Sequence, residues 1–363
     1  MTLKGSPRAF IGLDIGTSTV KLVEIINRGS SQELTTYAHV DLPSNIAAIS
    51  SRAQNNLKPL AQLITQTLEA SQASADAVVM ALPSSQIFTT TLTMPDIPDD
   101  QMDNAVKFAT RDIIPINLED TVLTWSRPGQ NHTIPLYVAV ANAAAPTETR
   151  QTPQPRENIT GPAQQAQPTS IYVSVAAKQI LSWCAHLAQY LRLELVSIEI
   201  EAQTLIRMHA NNSRSSQLYC DIGGFETNFH VVNHTTVSLS RNFDYGSSQI
   251  TQMLTGAPDT ATVDQAFKPL YKEVKQIIDQ LERKNIKPPT STTLLGGGAQ
   301  IPQLKTHWEN TLKHPATISN PWSGLSYPQQ LENHLRQIGP QYTLAVNLAR
   351  HGCVVANKEK QSI

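Results

Sequence analysis

Cysteine is scarce. Cys184, Cys220 and Cys353 are the only three in 363 residues. None falls in a CxxC or zinc-type spacing and all three sit in apolar segments, which excludes a disulfide framework and fits a reducing compartment. Asn-x-Ser/Thr triplets such as Asn131-His132-Thr133 are then chance composition. A surplus of charge is also missing: the formal net charge is -1, so no global field draws the chain to nucleic acid or to an acidic membrane surface. No apolar run approaches the ~18 residues that a membrane span needs. The N-terminal MTLKGSPRAF lacks the apolar core of a signal peptide, so the expected location is the cytoplasm. What is present is a chain 40% hydrophobic and 16% charged, enough to bury one large core or two ordinary ones.

Strands and helices alternate along it, the signature of an α/β fold. Phe10 to Asp14, Val20 to Ile25 and Leu34 to Val40 read as a three-strand meander. Leu57, Leu60, Leu63, Ile64 and Leu68 recur at helical spacing, and AVVMALP (Ala77 to Pro83) returns to a buried strand. Ile87 to Met94 is a further strand, and a helix runs from Pro98-Asp99 to a stop at Pro115. Composition then shifts. Ala143 to Ser170 holds five of the 23 prolines and almost nothing that could form a core, which predicts a surface loop between strands Leu136 to Ala141 and Ile171 to Ala176. A helix over Ala177 to Leu191, a strand over Leu195 to Ile200 and a helix over Glu201 to Ala210 follow.

Two short stretches carry chemistry. IGLDIGTSTVKLVEI (Ile11 to Ile25) breaks two buried strands with Asp14, Gly16, Thr17 and Ser18, and LYCDIGGFETNFHVV (Leu218 to Val232) repeats the pattern with Asp221, Gly223 and Gly224. Aligned on Asp-Ile-Gly, they suggest an internal duplication. Facing turns of this kind bring backbone N-H groups and hydroxyls to an anion, while an Asp on each side holds Mg2+ through its water shell. The competing reading is that the glycines only supply positive φ in ordinary hairpins. A third element, TTLLGGGAQIPQL (Thr292 to Leu304), runs a strand into Gly296, Gly297 and Gly298 and then a helix opening near Ile301-Pro302, a switch that admits a flat ligand.

In this order and spacing the trio resembles the two phosphate loops and the adenosine loop of the superfamily of actin, heat-shock chaperones and sugar kinases. The resemblance spans nearly the whole chain and implies two RNase H-like domains closing over ATP. In the superfamily the first loop runs Asp-x-Gly-Ser/Thr-x-x-Val-Lys, matched here by Asp14, Gly16, Thr17, Val20 and Lys21. It implies that Asp14 and Asp221 hold the water shell of Mg2+, and that Thr17, Ser18, Lys21, Gly224 and Thr227 meet the phosphates. Gly296, Gly297 and Gly298 would flank the nucleoside. Ala81 to Trp125, with its Ala-Leu-Pro, its Met-Pro before a helix, the Ile-Pro after it and the later Leu-x-Trp, is similar to the PilM family of type IV pilus assembly proteins. FtsA, the division protein, shares GGGAQ-x-P but not this segment, and its amphipathic end has no counterpart in VVANKEKQSI.

That resemblance implies an FtsA/PilM-type insertion at 85–198, containing the loop 143–170, in a first domain of 8–84. An interdomain helix at 199–214 completes that domain. The second domain takes 215–245 and 288–325, with a reduced lid of 246–287, and 326–356 returns to the first. It also implies a cytoplasmic scaffold that binds the N-terminal segment of a PilN-like inner-membrane protein and meets the membrane, and other pilus assembly proteins, through partners. Self-association is left open, nucleic acid is not expected, and the alternatives are an FtsA-like filament or a small-molecule kinase. The peptide is expected at Ile114-Pro115-Ile116, where proline leaves apolar side chains at the edge of the insertion.

Departures from the superfamily pattern are expected to matter. Phe225 and Glu226 stand where it has small or hydroxylated residues, and Glu199 stands where it has Asp. Glu199 and Glu201 are the acids placed to orient water, and hydrolysis is expected to be slow at most. Lys268, Lys272 and Lys275 share a helix face; the related fold passes that helix near the nucleotide, which implies Lys275 as a contact. His230 and His234 are four apart in a strand-and-turn context and read as sheet side chains rather than a metal site.

Overall fold

The computed structural model describes residues 8–29, 31–43, 57–82, 84–95, 97–114, 117–127, 169–210, 215–233, 236–256 and 258–361. The expected strand at 136–141, residues 143–168 of the expected loop, Pro115, Ile116 and His234 lie outside the described residues.

The chain opens with antiparallel strands β1 (Arg8–Ile15), β2 (Thr19–Asn27) and β3 (Gln32–Asp41), then helix α1 (Leu57–Ala70) and β4 (Ala77–Leu82). All six residues of β4 are buried, as expected of a strand covered on both faces. It lies parallel to β1. A smaller unit follows: β5 (Ile87–Met94), α2 (Asp99–Thr110), β6 (Thr121–Ser126) and β7 (Thr169–Ala177). Its sheet order is β5-β7-β6. Met102 and Val106 on α2 and Ile114 beyond it pack on Leu92, Ile171, Val173 and Val175 of that sheet.

The chain then returns to the first sheet through α3 (Lys178–Leu191), β8 (Glu194–Ile200) and α4 (Glu201–Ala210). Here the structure corrects the expected insertion of 85–198. Strand β8 pairs with β4, and the apolar face of α3 fills the core of the first sheet, so the three-stranded unit ends at Ala177.

The second large sheet repeats the first. Strands β9 (Gln217–Ile222), β10 (Thr227–Asn233) and β11 (Thr236–Phe243) form an antiparallel meander. Helices α5 (Ser247–Met253) and α6 (Thr260–Arg283) come next, and β12 (Ser291–Leu295) lies parallel to β9. After α7 (Leu304–Leu312), β13 (Ala316–Ile318) closes that sheet in the order β11-β10-β9-β12-β13. The short β14 (Leu325–Ser326) joins the first sheet, whose order is β14-β3-β2-β1-β4-β8. Helix α8 (Glu332–Ile338) leads into α9 (Thr343–Gln361), which packs on β1, β2 and β4. The approach is tight: a Cβ on Gly12 of β1 would lie 1.9 Å from the Ala345 carbonyl oxygen. Glycine at 12 with alanines at 345 and 349 therefore fixes the height of β1, and with it the tip that carries Asp14.

The glycine run also differs from its expected form. Gly297–Gln300 is a 3-10 turn and α7 begins only at Leu304, so no helix N-terminus opens at Ile301-Pro302.

Candidate functional site

The two Asp-Ile-Gly turns are built alike. The Gly16 N-H donates to the Thr19 carbonyl at 2.9 Å, and the Gly223 N-H donates to the Glu226 carbonyl at the same distance. Neither glycine has positive φ; among the described residues the glycines that do are Gly29, Gly256, Gly296 and Gly324. The ordinary-hairpin reading therefore fails. Space is what the positions require, since a Cβ at Gly223 would lie 2.9 Å from the Glu226 oxygen and one at Gly16 3.1 Å from the Thr19 oxygen.

The turns meet across a cleft. A Cβ on Gly224 would fall 2.2 Å from Ser18 Oγ, so the second hairpin rests on the first only because residue 224 has no side chain. Behind it, the Ser247 and Ser248 N-H groups donate to the Gly223 and Gly224 carbonyls at 2.8 and 2.9 Å, tying the start of α5 to the second turn. Gly297 lines the same cleft with open space where a side chain would stand. Gly296 does not line it: its φ of +80° and the 2.2 Å between its would-be Cβ and Asp221 Oδ1 let the glycine run lie against the tip of β9. Gly298 has the same role against Ile222.

Register places the charges. In the β1–β2 pairing Lys21 stands opposite Asp14, and its Nζ lies 3.3 Å from Asp14 Oδ2. In the β9–β10 pairing the residue opposite Asp221 is Asn228, so the positive member of the pattern exists on one side only. Glu201, at the start of α4, reaches into the cleft between them. Its Oε2 accepts from Ser84 Oγ at 2.6 Å and from Asn228 Nδ2 at 3.0 Å, and its Oε1 lies 3.2 Å from His230 Nε2. Burial pushes Asp221 well above the usual carboxylate range, and the charge of Glu201 adds to the shift. Burial also raises Asp14, against the opposing charge of Lys21. Burial alone would raise Glu201 too, but His230, Ser84 and the hydrogen bond with Asp221 hold it below its ordinary value. Of the two acids, Asp221 is thus the one whose charge the site disfavours and Glu201 the one whose charge it favours.

Ten of the expected residues come together here: Asp14, Gly16, Thr17, Ser18, Lys21, Glu201, Asp221, Gly223, Gly224 and Gly297 line one cleft. Others do not reach it. Glu199 is buried away from the cleft, where it accepts from Arg207 and Thr204 and lies 3.0 Å from His351 Nε2. It ties α4 to α9 and is not placed to orient water. Thr227 Oγ1 is taken by the Tyr245 carbonyl at 2.6 Å. Lys275 is exposed on the side of α6 away from its buried face and is absent from the cleft lining. Phe225 is 54% exposed and does not line the cleft, whereas Glu226 does. Asn228, Ser247 and Gln341 also line it; no motif marks them, and only strand register or chain return brings them in. His230 is a sheet side chain as expected, but a buried one against Glu201. Ile114 is also buried, so the apolar side chains exposed beside it are Phe108, at 79%, and Ile113, at 47%.

Among the described residues no helix is long and apolar enough to cross a membrane. Similarity to known proteins bears on the fold and the family. The chain resembles a solved PilM-PilN type IV pilus biogenesis complex at 21% identity and a TM-score of 0.71, over 94% of this chain and 98% of that one. It is also similar to the ethanolamine utilization protein EutJ from Carboxydothermus hydrogenoformans, at 11% identity and a TM-score of 0.50 over 94% and 89% of the two chains. The fold is thus the actin-like one. A family profile described as type IV pilus assembly protein PilM matches residues 12–268, more than half of the sequence. The chain belongs to the PilM family of type IV pilus assembly proteins.

Proposed function

We propose that this chain is an actin-like scaffold of the type IV pilus inner-membrane assembly complex, binding Mg-ATP in its cleft and a PilN-like N-terminal segment on its three-stranded unit. The observation that carries the nucleotide is the meeting of two like turns, Ser18 against Gly224, over a cleft with Asp14 and Asp221 at its base. Phosphate oxygens would meet Lys21 and the turn N-H groups, with Gly297 beside the nucleoside. The donor set fits Mg2+. Two buried carboxylates whose charge is disfavoured by burial face one lysine, which is too little positive charge for both. Among the described residues no three acidic, His or Cys side chains are arranged to ligate a metal directly, so Asp14 and Asp221 would hold the ion through its water shell. Bound there, Mg2+ would neutralise phosphate charge. Glu201 and Glu226 are the remaining acids in the cleft: Ser84 and Asn228 donate to Glu201 Oε2, His230 faces its Oε1, and Asn242 donates to Glu226 Oε2, which leaves both little capacity to orient water. Slow turnover at most follows.

The partner reading rests on the PilM-PilN complex that the chain resembles, which is described as binding PilN. In this chain Phe108 and Ile113 offer exposed apolar surface at the end of α2, directly before Ile114-Pro115-Ile116. A peptide of roughly ten residues held by a few apolar contacts and backbone hydrogen bonds would bind at about micromolar affinity once its ordering cost is subtracted. Docking there would place the chain at the cytoplasmic face of the membrane. The test is a fluorescence titration with the N-terminal peptide of the host's PilN-like protein. Wild type should bind, and Phe108→Asp should weaken binding about tenfold or more, a loss of ~1.4 kcal/mol or more. Binding by neither protein removes the scaffold reading. Equal binding by wild type, Phe108→Asp and Ile116→Asp moves the docking site elsewhere.

A further inference from the structure

A second cavity, of about 380 Å³, lies between helices α4 and α9 and the second large sheet, and shares no residue with the cleft. Helix α9 contributes Asn347 and Arg350, strands β12 and β13 contribute Thr293 and Thr317, and the loop after β13 contributes Ser319 and Ser323. Its lining is made of hydroxyls, amides and a few apolar groups, and Arg350 is its only charged member.

Arg350 has no visible reason to be there as a bare cation. One Nη2 hydrogen goes to the Ser323 carbonyl, Nε is buried with no acceptor, and among the described residues no carboxylate pairs with it. Burial lowers its pKa below the ordinary value. A guanidinium drawn partly out of water without a counter-charge is unfavourable, and its planar donor fork matches an oxyanion in shape and charge. Surrounding hydroxyls and amides add neutral donors without adding a competing negative charge.

We propose that this cavity is an oxyanion-binding site headed by Arg350, taking a phosphate or carboxylate group. The cleft uses Lys21 and turn N-H groups for its anion; this site uses a guanidinium and side-chain hydroxyls from both halves of the molecule. An anion bound there bridges α9, which packs on the first sheet, to β12 and β13 of the second. It would therefore pin the two halves together on the side of the strands away from the hairpin turns.

The test is thermal unfolding and NMR titration of the nucleotide-free protein with inorganic phosphate in one arm and succinate in the other. Wild type should gain stability with at least one of them, and Arg350→Gln should bind it about tenfold or more weakly, as expected for loss of a charge-assisted pair. Response to phosphate alone assigns a phosphoryl ligand; response to succinate alone assigns a carboxylate. Lys21→Ala should keep the response, which separates this site from the cleft, so failure of the ATP reading would leave the result intact. Asn320→Asp, which adds a carboxylate to the cavity lining, should abolish the response without loss of folding. The proposal is overturned if neither anion acts on wild type at tens of millimolar, a Kd range near the lower limit of specific binding. It is equally overturned if the response survives Arg350→Gln, or if it disappears in Lys21→Ala.

Discussion

Replacing Gly224 by alanine would set a methyl carbon 2.2 Å from Ser18 Oγ and 2.7 Å from Ser18 Cβ. Ordinary contact needs roughly 3.5 Å or more, so one turn must retreat from the other by about an ångström. Rotation of the Ser18 hydroxyl does not relieve it, because the serine Cβ is itself too close. Overpacking of this kind costs about 1–3 kcal/mol where the structure has to yield. The retreat also widens the gap that a phosphate chain must bridge, so ATP affinity should fall about tenfold, equivalent to ~1.4 kcal/mol. Ser18→Gly removes both clashing atoms. The double variant Ser18→Gly, Gly224→Ala should recover most of the stability lost by Gly224→Ala, giving a coupling energy of roughly 1 kcal/mol or more in a double-mutant cycle. Urea unfolding measures the first quantity and calorimetric titration with Mg-ATP the second. Additive effects of the two substitutions would refute the contact between the turns and the cleft closure built on it.

The acid pair makes stability depend on pH in a defined direction. Asp221 has a raised pKa in the folded protein, so above its unfolded value of 3.8 the folded state binds more protons than the unfolded one. Without Mg2+ and nucleotide, this group's contribution to stability should fall as pH rises from 3.8 through the raised value; Asp14 acts in the same sense. Glu201, held low, acts oppositely and loses its stabilising contribution only as pH falls below its usual range. Asp221→Asn should therefore flatten the decline in a pH series of denaturant melts, and a steeper decline would contradict the upward shift of Asp221. Gly12→Ala should cost about 3 kcal/mol or more, because its Cβ would meet the backbone of α9 rather than a side chain that can move. A protein that tolerates it within 0.5 kcal/mol, about the range of neutral surface changes, would show that α9 does not sit on β1 as described.

The first sheet, the duplicated turns and the glycine run were legible because their signals are local. Asp, Gly and hydroxyl residues at the end of a buried strand can be read from spacing alone, and Asp14, Asp221 and Gly297 stand where that spacing points. Glu199 and Glu201 were not separable in the same way. They are two residues apart at a strand-to-helix junction, and only the fold shows that one faces Arg207 and His351 while the other enters the cleft. Asn228 carries no motif; it matters because antiparallel register sets it opposite Asp221. Lys275 was misplaced by the helix phase, since α6 turns Val274 and Ile277 inward and leaves Lys275 in solvent. Proline suggested exposure at Ile114, but the side chain closes the small unit's core, and Phe108 and Ile113 are the ones left outside. The boundary of the insertion failed for a topological reason: β8 pairs with β4 across more than a hundred residues of sequence, which no local pattern announces.

The most direct test of the account is calorimetric titration of the purified protein with Mg-ATP, run in parallel on Lys21→Ala and Lys275→Ala. Lys21→Ala removes the cation opposite Asp14 and a charge-assisted phosphate contact, so its affinity should fall about tenfold or more, or roughly 1.5–3 kcal/mol. Lys275→Ala should bind as wild type does. No heat of binding from wild type at millimolar Mg-ATP, or equal losses in both variants, would contradict the cleft as a phosphate clamp.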